Sequence, residues 1–295
     1  MRHLSELIAF IYWDPSPEIF VLPIVHWPIL WYGVFFALGF AVGFSLFYSL
    51  LVRLMLQTFE ETLPDVKKRA MWLTDRLTIY VIAATVIGAR VGHFLFYEHP
   101  SQYLAKPFEI FLVWKGGLAS HGAAVGIVLG VMLFAHRYKA LLGGLNWLRL
   151  LDLICVPTAF AGACIRIGNF CNQEILGTST LLPWAVVFGH PMDHSAPIPR
   201  HPVQLYEALL YLAIFALLWS LTYAPRFFLA KGRLIGLFLV LVFGGRFLLE
   251  FVKVEQSSLV VKSFFTKGQW LSIVPIVAGV ALLLFSFRKS GFRYS

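Results

Sequence analysis

Charged residues are scarce in this sequence: they make up 13% of its 295 positions, while hydrophobic residues make up 59%. Soluble globular domains carry about 25% charged residues, so this composition excludes a soluble globular protein. Apolar runs recur at close to the ~20 residues that cross a bilayer as a helix. We therefore predict an all-α integral membrane protein with about seven transmembrane helices, forming a single polytopic domain over residues 1–295.

Cysteine is also scarce, and several metal and nucleophile motifs are missing. The three cysteines, Cys155, Cys164 and Cys171, include no CxxC pair, which argues against a disulfide framework or a zinc site. No HExxH, GxSxG or DDxxD-type motif occurs, so a metalloprotease, a serine hydrolase and a magnesium–diphosphate site are all unsupported. We expect neither a metal nor a cofactor.

A cleavable signal pattern is missing from the N-terminus. The apolar run of residues 7–13 is short, and Asp14 and Pro15 follow it where such a run should continue. Residues 1–27 are rich in proline and aromatic residues, and we expect them to form an interfacial segment that lies on the membrane.

Hydropathy predicts seven helices, over about residues 28–56, 76–97, 117–137, 150–170, 202–223, 234–251 and 270–287. The first three contain glycines four residues apart, a spacing that lets helices pack closely in lipid. The longest connection, residues 171–201, contains four prolines. It is predicted to form a small extramembrane arm on the periplasmic side.

Basic residues are distributed unevenly between the predicted loops. Loops on one side carry fourteen lysines and arginines and those on the other side seven, which predicts that the N-terminus is outside and the C-terminus in the cytoplasm. The net charge of +9 is then a signature of topology, and we expect no nucleic-acid partner.

Three arginines, Arg90, Arg166 and Arg246, lie within the predicted spans. An ionisable group at membrane depth marks a candidate functional site. Together with polar residues of neighbouring helices, these arginines gather in the outer half of the predicted bilayer, which argues against a pore or a midplane transport site. Guanidinium groups bind phosphate in a fork geometry, so a lipid phosphate is the predicted ligand. The alternative is that each arginine pairs with a carboxylate of the bundle, the obvious case being Arg246 with Glu250 one turn later.

A single histidine, His121, stands in a glycine-rich stretch that leads into the third predicted helix. It is a candidate proton acceptor at the level of the arginines. A purely structural role is the alternative that the sequence leaves open.

Short motifs follow one another along nearly the whole chain. They are Trp31-Tyr-Gly33, Gly88-Ala-Arg-Val-Gly92 with Phe96-Tyr97, Gly116-Gly-Leu-Ala-Ser-His-Gly122, Arg166-Ile-Gly-Asn-Phe-Cys-Asn-Gln-Glu-Ile-Leu-Gly177, Arg200-His-Pro-Val-Gln-Leu-Tyr-Glu207, Gly245-Arg-Phe-Leu-Leu-Glu250 and Gly268-Gln-Trp-Leu-Ser272. In this order the chain resembles the bacterial phosphatidylglycerol–prolipoprotein diacylglyceryl transferases. The resemblance implies transfer of a diacylglyceryl group from phosphatidylglycerol to the lipobox cysteine of a precursor's signal peptide, in the bacterial inner membrane among its lipids.

Site residues follow from the resemblance together with the polar groups of the spans. We expect catalytic roles for His121, Arg166 and Arg246. The predicted phosphatidylglycerol-binding residues are Tyr32, Arg90, Arg166, Asn169, Glu174, Gly177 and Arg246. Supporting roles are expected for His201, Glu207 and Glu250.

Four positions depart from the pattern of the family. Gln173 stands where glycine is common, Ala123 where a second glycine is usual, Lys253 where arginine is frequent and Val242 where tyrosine is often found. These departures concern the fine geometry of the site. Two rivals stay open, namely a lipid or solute transporter without chemistry and a membrane enzyme that acts on another lipid phosphate.

Overall fold

The structure is a computed structural model that describes residues 10–24, 26–97, 119–254 and 265–291. Its helices are α1 (Trp31–Thr58), α2 (Leu63–Tyr97), α3 (Ser120–Arg137), α4 (Trp147–Cys171), α5 (Val203–Leu221), α6 (Pro225–Phe228), α7 (Arg233–Leu249) and α8 (Lys267–Gly291). A 3₁₀ turn, Glu250–Val252, directly follows α7. The strands are β1 (Ile11–Trp13), β2 (Glu18–Leu22), β3 (Trp27–Leu30), β4 (Val186–Phe188) and β5 (Pro199–Arg200).

Six of the described helices, α1, α2, α4, α5, α7 and α8, are long and apolar enough to cross a membrane. The predicted class, an all-α integral membrane protein with several spans, is confirmed. The predicted count of seven is not, because the apolar part of α3, His121–Arg137, is shorter than a full span. The predicted start of this helix at residue 117 lies outside the described residues.

Helix α2 begins thirteen residues before its predicted start at residue 76, so that boundary was wrong. Thr62 occupies the N-cap position: its hydroxyl bonds to Asp65 at 2.5 Å, and its carbonyl accepts from the Val66 N–H at 3.0 Å. Pro64 fits the first turn, where a missing N–H costs nothing. The basic run at 67–69 therefore lies on a helix, where a loop had been expected.

The chain forms two compact units. The first contains residues 1–46 and 155–295, and the second contains residues 47–154. The prediction of a single membrane domain stays a prediction.

In the second unit, glycines bring α2 and α3 into backbone contact. A Cβ atom on Gly122 would lie 2.1 Å from the Gly88 carbonyl oxygen and 2.7 Å from the Gly92 Cα. Gly126 faces Ala84 and Gly88 in the same way, at 2.3 and 3.0 Å. The close packing predicted from the glycine spacing is confirmed for this pair of helices.

In the first unit, a three-stranded sheet joins the N-terminal segment to the arm. β1 pairs with β4 in parallel, and β4 pairs with β5 in antiparallel orientation. Phe170 packs with Leu176 and with Val186 and Phe188 of β4, while the Trp13 ring stacks on Phe170 at 4.6 Å. β2 and β3 form a separate antiparallel hairpin. No strand was predicted here, and the interfacial position of residues 1–27 stays a prediction.

The contact between α2 and α3 yields the first testable prediction. Gly122→Ala places a Cβ atom where the Gly88 backbone lies, so we expect a large loss of thermal stability in detergent micelles. Gly244→Ala in α7 is the matched control, because a Cβ there meets nothing within 4 Å. Equal melting temperatures for the two variants would contradict the described packing.

Candidate functional site

Arg166 lies in the last two turns of α4 and is held by two side chains. Its Nη1 donates to the Asn169 Oδ1 at 3.0 Å, and its Nε lies 2.8 Å from the Glu207 Oε2. The second contact is an ion pair whose angle does not suit a hydrogen bond. Nη2 makes no hydrogen bond to a described residue. The guanidinium is therefore held at Nη1 and Nε and retains Nη2 as a donor for a ligand.

Glu207 on α5 is a fully buried carboxylate between two cations. Its side chain is 0% exposed, while those of Arg166 and Lys253 are 12% and 9% exposed. Lys253, just after the 3₁₀ turn, donates from Nζ to the Glu207 Oε1 at 2.9 Å. Each carboxylate oxygen thus faces one cation, which is the arrangement that makes a buried charge tolerable.

Arg246 on α7 faces the same carboxylate. Tyr211, Glu207 and Glu250 interact electrostatically with its buried guanidinium. The carboxylate of Glu250 lies 3.9 Å from the Lys253 Nζ and accepts a hydrogen bond from the Thr266 hydroxyl at 3.3 Å. The alternative drawn from the sequence, in which each arginine pairs with a carboxylate of the bundle, describes Arg166, which pairs with Glu207. Glu250, the expected partner of Arg246, contacts Lys253 and Thr266.

A tight turn after α4 orients the amides beside Arg166. The Glu174 N–H donates to the Asn169 carbonyl at 3.1 Å, and the Asn169 Nδ2 donates to the Glu174 Oε1 at 2.8 Å. Gln204, fully buried at the start of α5, donates from Nε2 to the Glu174 carbonyl at 2.7 Å. Glu174 thus fixes Asn169, and Asn169 fixes Arg166.

Tyr32 and Gly177 belong to the same unit. Tyr32, at the start of α1, packs over Gly168, where a Cβ atom would be 3.0 Å from the tyrosine ring. A Cβ on Gly177 would lie 2.3 Å from the His201 carbonyl oxygen. The Nδ1 of His201 forms a hydrogen bond with the Tyr206 hydroxyl at 3.2 Å. Backbone packing thus requires glycine at position 177, while its predicted role in lipid binding stays a prediction.

Gln173 follows α4 with φ +52°, in the left-handed region that favours glycine. Its buried side chain donates from Nε2 to the Asp14 Oδ1 at 3.0 Å, and its Oε1 accepts the His190 N–H at 2.8 Å. These bonds offset the strain of a left-handed backbone at a residue other than glycine.

Asp14 also lies 2.7 Å from the His190 Nδ1. The hydrogen bond with His190, followed by that from Gln173, holds the pKa of the Asp14 carboxyl below its ordinary value. The lowered pKa stabilises the folded protein at pH values above the ordinary pKa of an aspartate. This stabilisation is lost as the pH falls through the lowered pKa.

Arg90 and His121 lie in the second unit, on α2 and α3. Arg90 is buried, with its guanidinium 4.4 Å from the centre of the Phe94 ring. Ala119, just before α3, donates its N–H to the Ala89 carbonyl at 2.9 Å. Arg90 and His121 thus flank one close contact between α2 and α3. Their predicted roles, binding for Arg90 and catalysis for His121, stay predictions.

The first unit therefore contains a cluster of three cations and three carboxylates, which are Arg166, Arg246, Lys253, Glu174, Glu207 and Glu250. Among the described residues, no group of three or more histidine, cysteine, aspartate or glutamate side chains is arranged to hold a metal. Such a cluster has the means to bind an anion and to neutralise charge as it develops.

Sequence reasoning missed the roles of Lys253 and Gln204. Lys253 was noted only as a departure, although it follows Glu250 by three residues immediately after an apolar helix. Gln204 precedes Glu207 by three residues on α5, a spacing that places both side chains on one helix face.

The buried carboxylate yields a second prediction. Glu207→Ala leaves Arg166 and Lys253 without their shared counterion, so we expect a loss of about 3–5 kcal/mol in the free energy of unfolding. Glu250→Ala, which removes a more exposed and more distant carboxylate, should cost less. The double variant Glu207→Leu/Lys253→Met should recover part of the loss. Equal losses for the two alanine variants, measured by denaturant unfolding in micelles, would contradict the central position of Glu207.

Gln173 yields a third prediction. Gln173→Gly relieves about 1 kcal/mol of backbone strain and removes two hydrogen bonds, one to a carboxylate, together contributing about 2–4 kcal/mol. The variant should therefore be less stable than the wild type. Gln173→Ala loses the same bonds and keeps the strain, so it should be less stable again by about 1 kcal/mol. An alanine variant as stable as the glycine variant would show that the backbone here is unstrained.

Comparison with known proteins connects this geometry to a family. The family model described as prolipoprotein diacylglyceryl transferase matches residues 19–285. The chain is 41% identical to the phosphatidylglycerol–prolipoprotein diacylglyceryl transferase of Chloroherpeton thalassium over 283 residues, 96% of each chain. It is 38% identical to that of Porphyromonas gingivalis over 293 residues, covering 94% of this chain and 95% of the relative. Identity to the Protochlamydia amoebophila protein is 43% over 237 residues, which cover 80% of this chain and 62% of that relative's length. The chain therefore belongs to the prolipoprotein diacylglyceryl transferase family.

Proposed function

We propose that this protein transfers the diacylglyceryl group of phosphatidylglycerol to the thiol of the lipobox cysteine in a prolipoprotein. A thioether forms and glycerol 1-phosphate leaves. The observation that carries the proposal is the convergence of Arg166, Arg246 and Lys253 around the buried Glu207. The printed names of the relatives, which specify both substrates, support it.

The reaction displaces a phosphate ester at a carbon atom. The substrate thiolate forms a bond to the carbon of the diacylglyceryl group that carries the phosphate. The bond from that carbon to the phosphate oxygen breaks. Its electron pair stays on the leaving glycerol phosphate, which gains negative charge. Cations fixed in a water-poor site stabilise that charge without reorganising. We assign this task to Arg166 and Arg246, with Lys253 as an additional cation.

The neighbouring polar side chains orient the arginines and the lipid. In this proposal Asn169 and Glu174 set the plane of the Arg166 guanidinium, and Tyr32 hydrogen-bonds the lipid headgroup. Glu207 balances the cations when phosphate is absent. Guanidinium groups suit phosphate oxygens, and Nη2 is the nitrogen of Arg166 that no described residue occupies.

A proton must also leave the attacking thiol. An unperturbed cysteine has a pKa of about 8.5, so most of it is protonated at neutral pH. We propose that neutral His121 accepts this proton and that Arg90 assists lipid binding. Both assignments rest on the sequence motifs of α2 and α3.

The protein is a multi-pass membrane protein, and we propose that it resides in the bacterial inner membrane. The fourteen-to-seven distribution of basic residues supports an N-terminus outside and a C-terminus in the cytoplasm. The predicted depth of the embedded arginines supports a site in the outer half of the bilayer, where lipid and signal peptide meet.

A transfer assay tests the proposal. Purified protein in micelles is supplied with phosphatidylglycerol radiolabelled in its acyl chains and a synthetic lipobox peptide. We expect label to enter the peptide and one glycerol 1-phosphate to appear per thioether. Competition with phosphatidylethanolamine and phosphatidic acid would identify another preferred headgroup. Folded protein that transfers no label to the peptide would reject the proposal.

The phosphate role of Arg166 yields a fourth prediction. Arg166→Lys keeps the charge but replaces a two-pronged donor with a point cation. We expect the transfer rate to fall by at least about tenfold, equivalent to about 1.4 kcal/mol of transition-state stabilisation. Arg76→Lys, at an exposed position on α2, is the control. A rate for Arg166→Lys within about threefold of wild type would remove Arg166 from the phosphate role.

The pH dependence of His121→Gln provides a fifth prediction. Glutamine keeps a hydrogen bond but does not accept the proton, so we expect a rate loss of about 10²–10⁴ at neutral pH. Raising the pH ionises the substrate thiol and should partly rescue the variant. A constant ratio of wild-type to variant rates between about pH 6 and 9 would exclude His121 as the general base.

A further inference from the structure

The end of α4, which carries the polar residues around Arg166, has the geometry of a Schellman motif. The Glu174 N–H donates to the Asn169 carbonyl at 3.1 Å, and the Gln173 N–H donates to the Phe170 carbonyl at 3.2 Å. These are the two hydrogen bonds that define this way of ending a helix. Gln173 has φ +52°, the left-handed conformation that the motif requires at that position. We call residues 169–174 the α4 turn.

The α4 turn sets the positions of the side chains that hold Arg166. Asn169 and Glu174, the residues joined by the longer of the two backbone bonds, are also joined by their side chains, with the Asn169 Nδ2 donating to the Glu174 Oε1 at 2.8 Å. The Asn169 Oδ1 in turn accepts a hydrogen bond from the Arg166 Nη1 at 3.0 Å. The direction of the guanidinium therefore depends on the backbone conformation of the turn.

Trp13, the last residue of β1, contacts the α4 turn twice. Its indole Nε1 donates to the Phe170 carbonyl at 3.1 Å, and its ring stacks on the Phe170 ring with centroids 4.6 Å apart. That carbonyl thus accepts one hydrogen bond from within the turn, from Gln173, and a second from β1. Because the last carbonyls of a helix lack intrahelical partners, both donors stabilise the end of α4.

Trp13 is itself held by the sheet. It pairs with Phe188 in the parallel register of β1 and β4, and its carbonyl accepts the Gly189 N–H at 3.0 Å. The Phe188 ring also meets the Phe170 ring edge-on, with centroids 5.7 Å apart. The indole therefore has a fixed position from which it holds the Phe170 carbonyl before any ligand binds.

We propose that Trp13 is a positioning residue for the phosphate site, whose indole N–H holds the α4 turn so that Asn169 directs Arg166 toward its ligand. The inference rests on the proposed function. One peptide unit joins Phe170 to Asn169, so a shift of the Phe170 carbonyl moves the Asn169 side chain as well. Trp13 precedes residues 19–285, the stretch that the family model matches, and the family motifs assign it no role.

Two variants remove the indole N–H and keep an aromatic ring at this position, namely Trp13→Phe and Trp13→Tyr. The matched control is Trp27→Phe, which removes the indole N–H of an exposed tryptophan on β3 in the same N-terminal segment. The affinity for glycerol 1-phosphate is measured by titration calorimetry in micelles, at a temperature well below the melting temperature of every variant.

We expect both Trp13 variants to raise the Kd for glycerol 1-phosphate by at least about threefold, because Arg166 loses part of its orientation with the lost hydrogen bond. The control should stay within about 1.5-fold of the wild type. Trp13 variants with a Kd equal to that of the wild type would overturn the inference, whether or not their melting temperatures fall.

A double-variant cycle shows whether Trp13 acts through Arg166. In an Arg166→Lys background the guanidinium is gone, so adding Trp13→Phe should change the Kd by less than about 1.5-fold. A purely structural contribution of Trp13 would not depend on the residue at position 166. The same factor for Trp13→Phe in both backgrounds would therefore overturn the inference.

Hydrogen exchange supplies a readout that needs no ligand. The N–H groups of residues 172–174 donate to the carbonyls of the last turn of α4, at 3.0 to 3.2 Å. We expect Trp13→Phe to speed their exchange relative to Trp27→Phe. Faster exchange with an unchanged Kd would show that Trp13 supports only the fold and would overturn the inference. A wild type that binds no glycerol 1-phosphate would instead contradict the proposed function, while faster exchange would still support the contact between Trp13 and the α4 turn.

Discussion

The site depends on one buried carboxylate. Glu207 has no exposed surface and is tolerable there only because Arg166 and Lys253 lie 2.8 and 2.9 Å from its two oxygens. The same contacts immobilise the cations, so the guanidinium of Arg166 is oriented before any ligand arrives. Orientation in advance is what makes a charged site effective, because nothing has to reorganise as charge develops. Stability and proposed function are thus coupled through one side chain.

Backbone pairing outside the membrane helices assembles this cluster. The Thr178 N–H donates to the Val252 carbonyl at 2.9 Å, and the Val254 N–H donates to the Leu176 carbonyl at 3.0 Å. These bonds tie the segment after α4 to the segment after α7 and place Lys253 beside Glu207. The glycine at 177 is required within this pairing because the His201 backbone leaves no room for a side chain. The arm is therefore a structural part of the site.

Much of the helical architecture could be predicted from the sequence, because long apolar runs and glycine spacings are local signals. Arg166, Asn169, Glu174 and Glu207 were also predicted as site residues, and the structure brings them together. The short strands β1 and β4 escaped prediction because three-residue strands depend on a partner far along the chain. The extended start of α2 escaped it because a basic run was interpreted as a loop. Lys253 was missed because its importance follows from the position of Glu207, which only the tertiary structure provides.

The most direct test of this account is the binding of glycerol 1-phosphate, the proposed leaving group, measured by titration calorimetry in micelles. The account predicts saturable binding of glycerol 1-phosphate and no binding of glycerol, since the cations recognise phosphate. It also predicts that Arg166→Lys weakens the affinity by at least about tenfold, or 1.4 kcal/mol, without unfolding the protein. Equal affinities of wild type and Arg166→Lys for glycerol 1-phosphate would contradict the claim that the cluster around Glu207 is a phosphate site.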